Sequence, residues 1–136
     1  MIIGPRRERS GLALKRILEQ DGIAEAEVLL IDVCADQFPP LPGSEHPSIQ
    51  VIANLSGMHF GEMRAWAANK AQKGIVAYLE EHVFPHPGWL RGIEKGIGYG
   101  WAGVGGEIYN PYPNIGTSNV YLSPRVRRFL LQLNVD

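Results

Sequence analysis

A single cysteine, Cys34, stands in 136 residues. One thiol cannot close an internal disulfide, so the fold is expected to rest on its apolar core, and such usage fits a reducing compartment. A basic excess is missing as well: 13 Lys and Arg face 14 Asp and Glu. Nucleic acids and anionic membrane surfaces are bound through a positive field that this balance does not supply. No apolar run approaches the roughly 20 residues that span a bilayer. The basic cluster Arg6, Arg7 and Arg9 is not followed by the apolar stretch of a signal peptide. The expectation is a cytoplasmic protein. Carboxylates are scarce toward one end, where only Asp136 follows Asn110. What is plentiful, 45% hydrophobic and 20% charged residues, suits one soluble globular domain over 1–136.

Apolar runs alternate with helix-forming ones along the chain. "MII" is a strand stub broken by Gly4-Pro5. "SGLALKRILEQDG" sets Leu12, Leu14, Ile17 and Leu18 near helical spacing, with Ser10 predicted as N-cap and Gly22 as the stop. "EVLLID" is a continuous apolar run ending in an acid, as a buried parallel strand would be. "QFPPLPGSEHP" is a loop, "SIQVIAN" a strand, and "GEMRAWAANKAQKG" a helix predicted to close on Gly74. "IVAYL" reads as a third full strand running into "EEH", and "GWLRGIEKGI" as a short helix. "WAGVGGEIYN" is a further strand candidate, and "SPRVRRFLLQL" a terminal helix with Ser123 as N-cap and Pro124 next. There is no internal repeat. Alternation of this kind predicts an α/β fold with a mostly parallel sheet.

Ligands of open α/β sheets sit outside the carboxyl ends of the strands. Two predicted strands end in acids there, at Asp32 and at Glu80-Glu81-His82. Hard divalent cations take carboxylate oxygens, and Mn²⁺ accepts imidazole too. Alternate residues of an extended segment face one side, so Glu80 and His82 can address one ion while Glu81 points away or braces the loop. The competing reading is a solvated loop start, which on pattern alone is the commoner origin of adjacent acids after a strand. A helical zinc site from His82 and His86 is disfavoured by Pro85 and Pro87.

The order of these pieces resembles the nucleotide-binding half of the family 2 glycosyltransferases. The resemblance rests on "IIGP" with "LALKRILEQ", on "EVLLIDVCAD", on "VIANLSGMHFGEMRAWAANKAQKG", on "IVAYLEEHVFPHPGWL" and on "AGVGGEIYN", and it covers roughly residues 1 to 110. It implies a Rossmann-like GT-A-type fold, small or truncated, that binds a nucleotide-diphosphate sugar, with a UDP-sugar favoured as donor. "EEH" is similar to the Glu-Asp-His variant of the DXD motif, so Glu80 and His82 would hold Mn²⁺ or Mg²⁺. The resemblance further implies that Asp32 accepts a hydrogen bond from the base and that Pro5 lines the nucleotide pocket. Gly105 and Gly106 would let backbone approach the sugar or acceptor. Trp89 would pack, and Arg64 would either reach a phosphate or sit solvated on its helix.

The reaction implied is inverting transfer to an unknown acceptor: a base takes the acceptor proton while the cation neutralises the departing diphosphate. Val33 and Cys34 stand where the family has a second Asp and a Gly, and no general base is visible, Glu107 being a poor candidate. The expectation is therefore a glycosyltransferase or a fragment of one. The alternative is a non-catalytic GT-A-like interaction module, and a flavodoxin-like or receiver domain is disfavoured by the arginines after "MII". Homo-oligomerisation is expected through the segment from Tyr109 onward, because a sheet this small leaves apolar surface uncovered.

Overall fold

The computed structural model describes residues 1–106 apart from 54 and 56. The expected helix at 124–133, the segment from Tyr109 and the second half of the predicted strand "WAGVGGEIYN" lie outside the described residues. The chain divides into two compact units, Met1–Leu90 and Arg91–Asp136.

The first unit is a small α/β layer. Its three-stranded parallel sheet has the order β1 (Ile2–Ile3), β2 (Val28–Asp32), β3 (Ile49–Ala53). β2 is central and almost wholly buried, which explains its unbroken apolar run. Register sets Ile3 opposite Asp32 and Asp32 opposite Ala53. On the other side of β1, Ile2 makes a parallel bridge with Glu80. The chain thus moves outward from β1 to β3 and then returns to the opposite flank of β1.

Helix α1 (Arg7–Leu18) buries Ser10, Ala13, Leu14 and Ile17, a stripe at i, i+3, i+4 and i+7. Leu14 packs with Ile3, Leu30 and Leu41 in the core, flanked by Met1, Leu18 and Ile49. Leu41 reaches the core from the proline-rich loop after β2. Two expectations are corrected here. Leu12 faces solvent, since its position falls off the buried stripe. Ser10 is no N-cap: the helix starts at Arg7, three residues earlier, and Ser10 is fully buried inside it. The helix ends at Leu18, and Gly22, with φ 85°, opens a single 3₁₀ turn at Ile23–Glu25.

Helix α2 (Phe60–Lys70) starts where Glu62 Oε2 accepts the His59 N–H at 2.7 Å, and it ends four residues before the expected Gly74. "IVAYL" is not a full strand either. The Ile2–Glu80 bridge is a single pair, and residues 75–79 lie outside any strand. Ile75, Val76 and Tyr78 are correspondingly exposed. Helix α3 (Trp89–Gly98) forms as expected. In the second unit, a Cβ on Gly96 would lie 2.6 Å from Val104 Cγ1, so that close approach requires glycine. Residues 101–106 form no strand.

The α-amino group of Met1 donates to Leu29 O at 2.8 Å. Burial, and then the nearby Arg64 charge, push its pKa from 8.0 down to about 6. A base whose pKa falls on folding holds fewer protons in the native state than in the unfolded one between those values. Stability is therefore complete above pH 8 and lost as pH falls through 6, by up to about 3 kcal/mol. Urea midpoints at pH 5.5 and 8.5 should differ in that direction, and Nα-acetylation should remove this component of the difference.

Candidate functional site at the carboxyl edge of the sheet

β2 delivers Asp32 to the carboxyl edge, and the bridge to Ile2 delivers Glu80 to the same edge beyond β1. Two strand spacings separate them, roughly 10 Å.

Asp32 is 4% exposed, and each of its oxygens accepts one hydrogen bond. Arg7 Nη1 donates to its Oδ2 at 2.8 Å, and the Cys34 N–H donates to its Oδ1 at 3.0 Å in a tight side-chain turn. Arg7 also donates to Pro39 O at 2.7 Å and lies over the Phe38 ring, while its buried Nε has no partner among the described residues. A buried carboxylate needs such compensation. The cleft beside Asp32, bounded by Ala35, Phe38, Pro40 and Val51, holds about 60 Å³. Small-molecule sites commonly enclose about 300–1,000 Å³, so a base at Asp32 must lie largely outside this cleft.

Glu80 enters a turn closed by the Val83 N–H, which donates to Glu80 O at 3.0 Å, and the side chains of 80–82 part to two sides of it. Glu81 turns inward: its Oε2 accepts the Gly4 N–H at 2.8 Å and lies 2.7 Å from Ser10 Oγ. Ser10 Oγ also lies 3.1 Å from Arg6 O, but its one proton favours the shorter bond to a carboxylate. Glu81 thereby ties the rim to the turn after β1. Glu80 and His82 turn outward together, with His82 Nε2 3.2 Å from Glu80 Oε2. Arg64 Nη2, from α2, binds Glu80 Oε1 at 2.8 Å. Its guanidinium lies 4.4 Å from the Phe60 ring centroid and 5.8 Å from that of Tyr78. Among the described residues no group of three or more His, Cys, Asp and Glu is arranged to hold a metal. The Glu80–His82 pair still suits a cation of the Mg²⁺ or Mn²⁺ kind, which commonly takes one or two side chains and completes its shell with water and phosphate oxygens.

Pro5 is exposed, and its carbonyl accepts the Arg7 N–H at 2.9 Å. Gly105 and Gly106 are exposed in the second unit, and among the described residues nothing lies within 4 Å of where a Cβ on Gly105 would stand. The loop after the rim is tied to α1 by Gln20, which is 5% exposed, donates to His86 O at 3.2 Å and accepts from the Leu90 N–H at 3.2 Å. Sequence reading missed Arg7 as the partner of Asp32 and Ser10 as that of Glu81. Both pairs join residues far apart in the chain, and no local spacing signals them.

No helix among the described residues is long and apolar enough to cross a membrane. Comparison with protein-family models, with curated proteins and with solved structures gives no match.

Proposed function

We propose that this chain binds a nucleoside diphosphate, a UDP-sugar being the favoured donor, as the donor-binding part of a glycosyltransferase-like domain of GT-A type. The observation that carries the reading is the placement of Glu80 on one flank of β1 and β2 on the other. Strand order reverses at that point, and the crevice outside the carboxyl ends at such a reversal is where open α/β sheets take their ligands. Glu80 and His82 border it, and Asp32 stands across β1 on β2, two strand spacings away.

A divalent cation held by Glu80 and His82 supplies charge neutralisation for the leaving diphosphate. The chain's own residues do the rest. Glu81 fixes the rim against Gly4 and Ser10, and Asp32 offers its remaining lone pairs to the base edge. Without a cation, a diphosphate charge and Glu80 repel by about 1 to 4 kcal/mol at a few ångströms, depending on the local dielectric.

Calorimetry with UDP is expected to show binding in the presence of Mn²⁺ that weakens on addition of EDTA. Turnover of a UDP-sugar is expected to be slow or absent, since no base stands at the described rim. The second reading is a non-catalytic interaction module. The ion pairs that occupy Asp32 and Glu80, and the small cleft, favour it. Absence of UDP affinity at millimolar concentration with Mn²⁺ present would select it.

A further inference from the structure

We infer that Arg64 acts as an internal stand-in cation: it holds Glu80 in the absence of metal, and a divalent ion displaces it from Glu80 toward the diphosphate. The inference rests on the donor-site reading above.

Both carboxylate oxygens of Glu80 are engaged, Oε1 by Arg64 at 2.8 Å and Oε2 by His82 at 3.2 Å. A metal ligated by Glu80 must share that carboxylate with a guanidinium already in contact with it. Two cations on one carboxylate repel, so the ion and Arg64 are alternative occupants. Arg64 has somewhere to remain when displaced. Its guanidinium rests on Phe60, four residues earlier on α2, and faces Tyr78, contacts that do not involve Glu80. The groups are also accessible, with side-chain exposures of 36% for Arg64, 43% for Glu80 and 57% for His82. A guanidinium released beside a bound diphosphate matches two phosphate oxygens at once, which an ammonium does not.

The exchange predicts coupling of opposite signs. Arg64 weakens binding of the metal alone, because it must be expelled, and strengthens the joint binding of metal and diphosphate, because expulsion gives it a new partner. Coupling is reciprocal, so UDP tightens Mn²⁺ by the factor by which Mn²⁺ tightens UDP.

The test is Mn²⁺ titration followed by the EPR signal of the free ion, with and without UDP, on the wild type, Arg64→Met and Arg64→Lys. Methionine keeps apolar contact with the rings and removes the charge, and lysine keeps the charge without the fork. Arg64→Met is expected to bind Mn²⁺ alone about tenfold more tightly than the wild type, while the tightening by UDP shrinks about tenfold. Arg64→Lys should keep the weak affinity for metal alone and lose most of the tightening. Loss of any nearby positive charge raises metal affinity, whereas loss of the tightening by UDP is not expected of a merely structural arginine. If the wild type binds Mn²⁺ and UDP jointly and Arg64→Met does so with the same two constants, the exchange is wrong and the donor site stands. If neither protein binds Mn²⁺ or UDP, the donor site itself is wrong and the exchange falls with it.

Discussion

Asp32→Ala is expected to cost the fold about 3–5 kcal/mol, the range found when one partner of a buried ion pair is removed. Asp32 is buried against Arg7, whose side chain is 15% exposed, so truncation strands a guanidinium that reaches little water. The Cys34 N–H loses its acceptor as well. Small domains are stable by only about 5–15 kcal/mol, so the loss should appear as a large fall in the urea midpoint. The double variant Arg7→Met with Asp32→Ala should recover much of it, because the stranded charge is then gone. An unchanged midpoint for Asp32→Ala would contradict the pairing. Asp32→Asn is the better probe of base binding. It can still accept from Cys34, and it should blunt discrimination between uridine and other nucleoside diphosphates before it unfolds the chain.

Glu81→Ala is the second large loss. It leaves the Gly4 N–H without its acceptor and the fully buried Ser10 hydroxyl without its preferred one. Each buried donor left without a partner costs about 1–3 kcal/mol. The Ser10 share should fall low in that range, because Arg6 O lies 3.1 Å away as a fallback. Glu81→Gln keeps a carbonyl oxygen in reach and should lose less than half as much. Backbone amide exchange gives the sharper readout: protection of the Gly4 N–H should collapse in the alanine variant and persist in the glutamine one. Equal stability of all three proteins would remove Glu81 from the account of how the rim is held.

The contrast between Asp32 and Ile75 shows how far local pattern reaches in this chain. "EVLLID" was legible as a strand, and its acid as a rim residue, because a central parallel strand is buried on both faces and declares itself by composition. "IVAYL" is strongly apolar too, yet it forms no strand, and pairing with β1 occurs only at Glu80, the residue after it. Composition reports what a strand wants; pairing depends on what stands beside it. Glu80 and His82 lie on one side and Glu81 on the other as extended geometry would place them, but a turn closed from the Val83 N–H to Glu80 O sets them there. Arg7 and Arg64 did not follow, because each meets its carboxylate across elements, 25 and 16 residues away in the chain. The helix boundary at Ser10 failed for a related reason. A serine at that place reads as a cap when its partner, Glu81, is 71 residues distant and out of view.

The central claim is that Glu80 holds the cation through which a diphosphate joins this rim. Calorimetric titration of UDP into the wild type and Glu80→Ala, each in Mn²⁺ and in EDTA, tests it most directly. Glu80 is partly exposed and contributes no core packing, so the variant should stay folded. The account predicts that Mn²⁺ tightens UDP binding about tenfold or more in the wild type and that this ratio falls to one in Glu80→Ala. A ratio that survives the loss of Glu80 would place the cation elsewhere and contradict the claim.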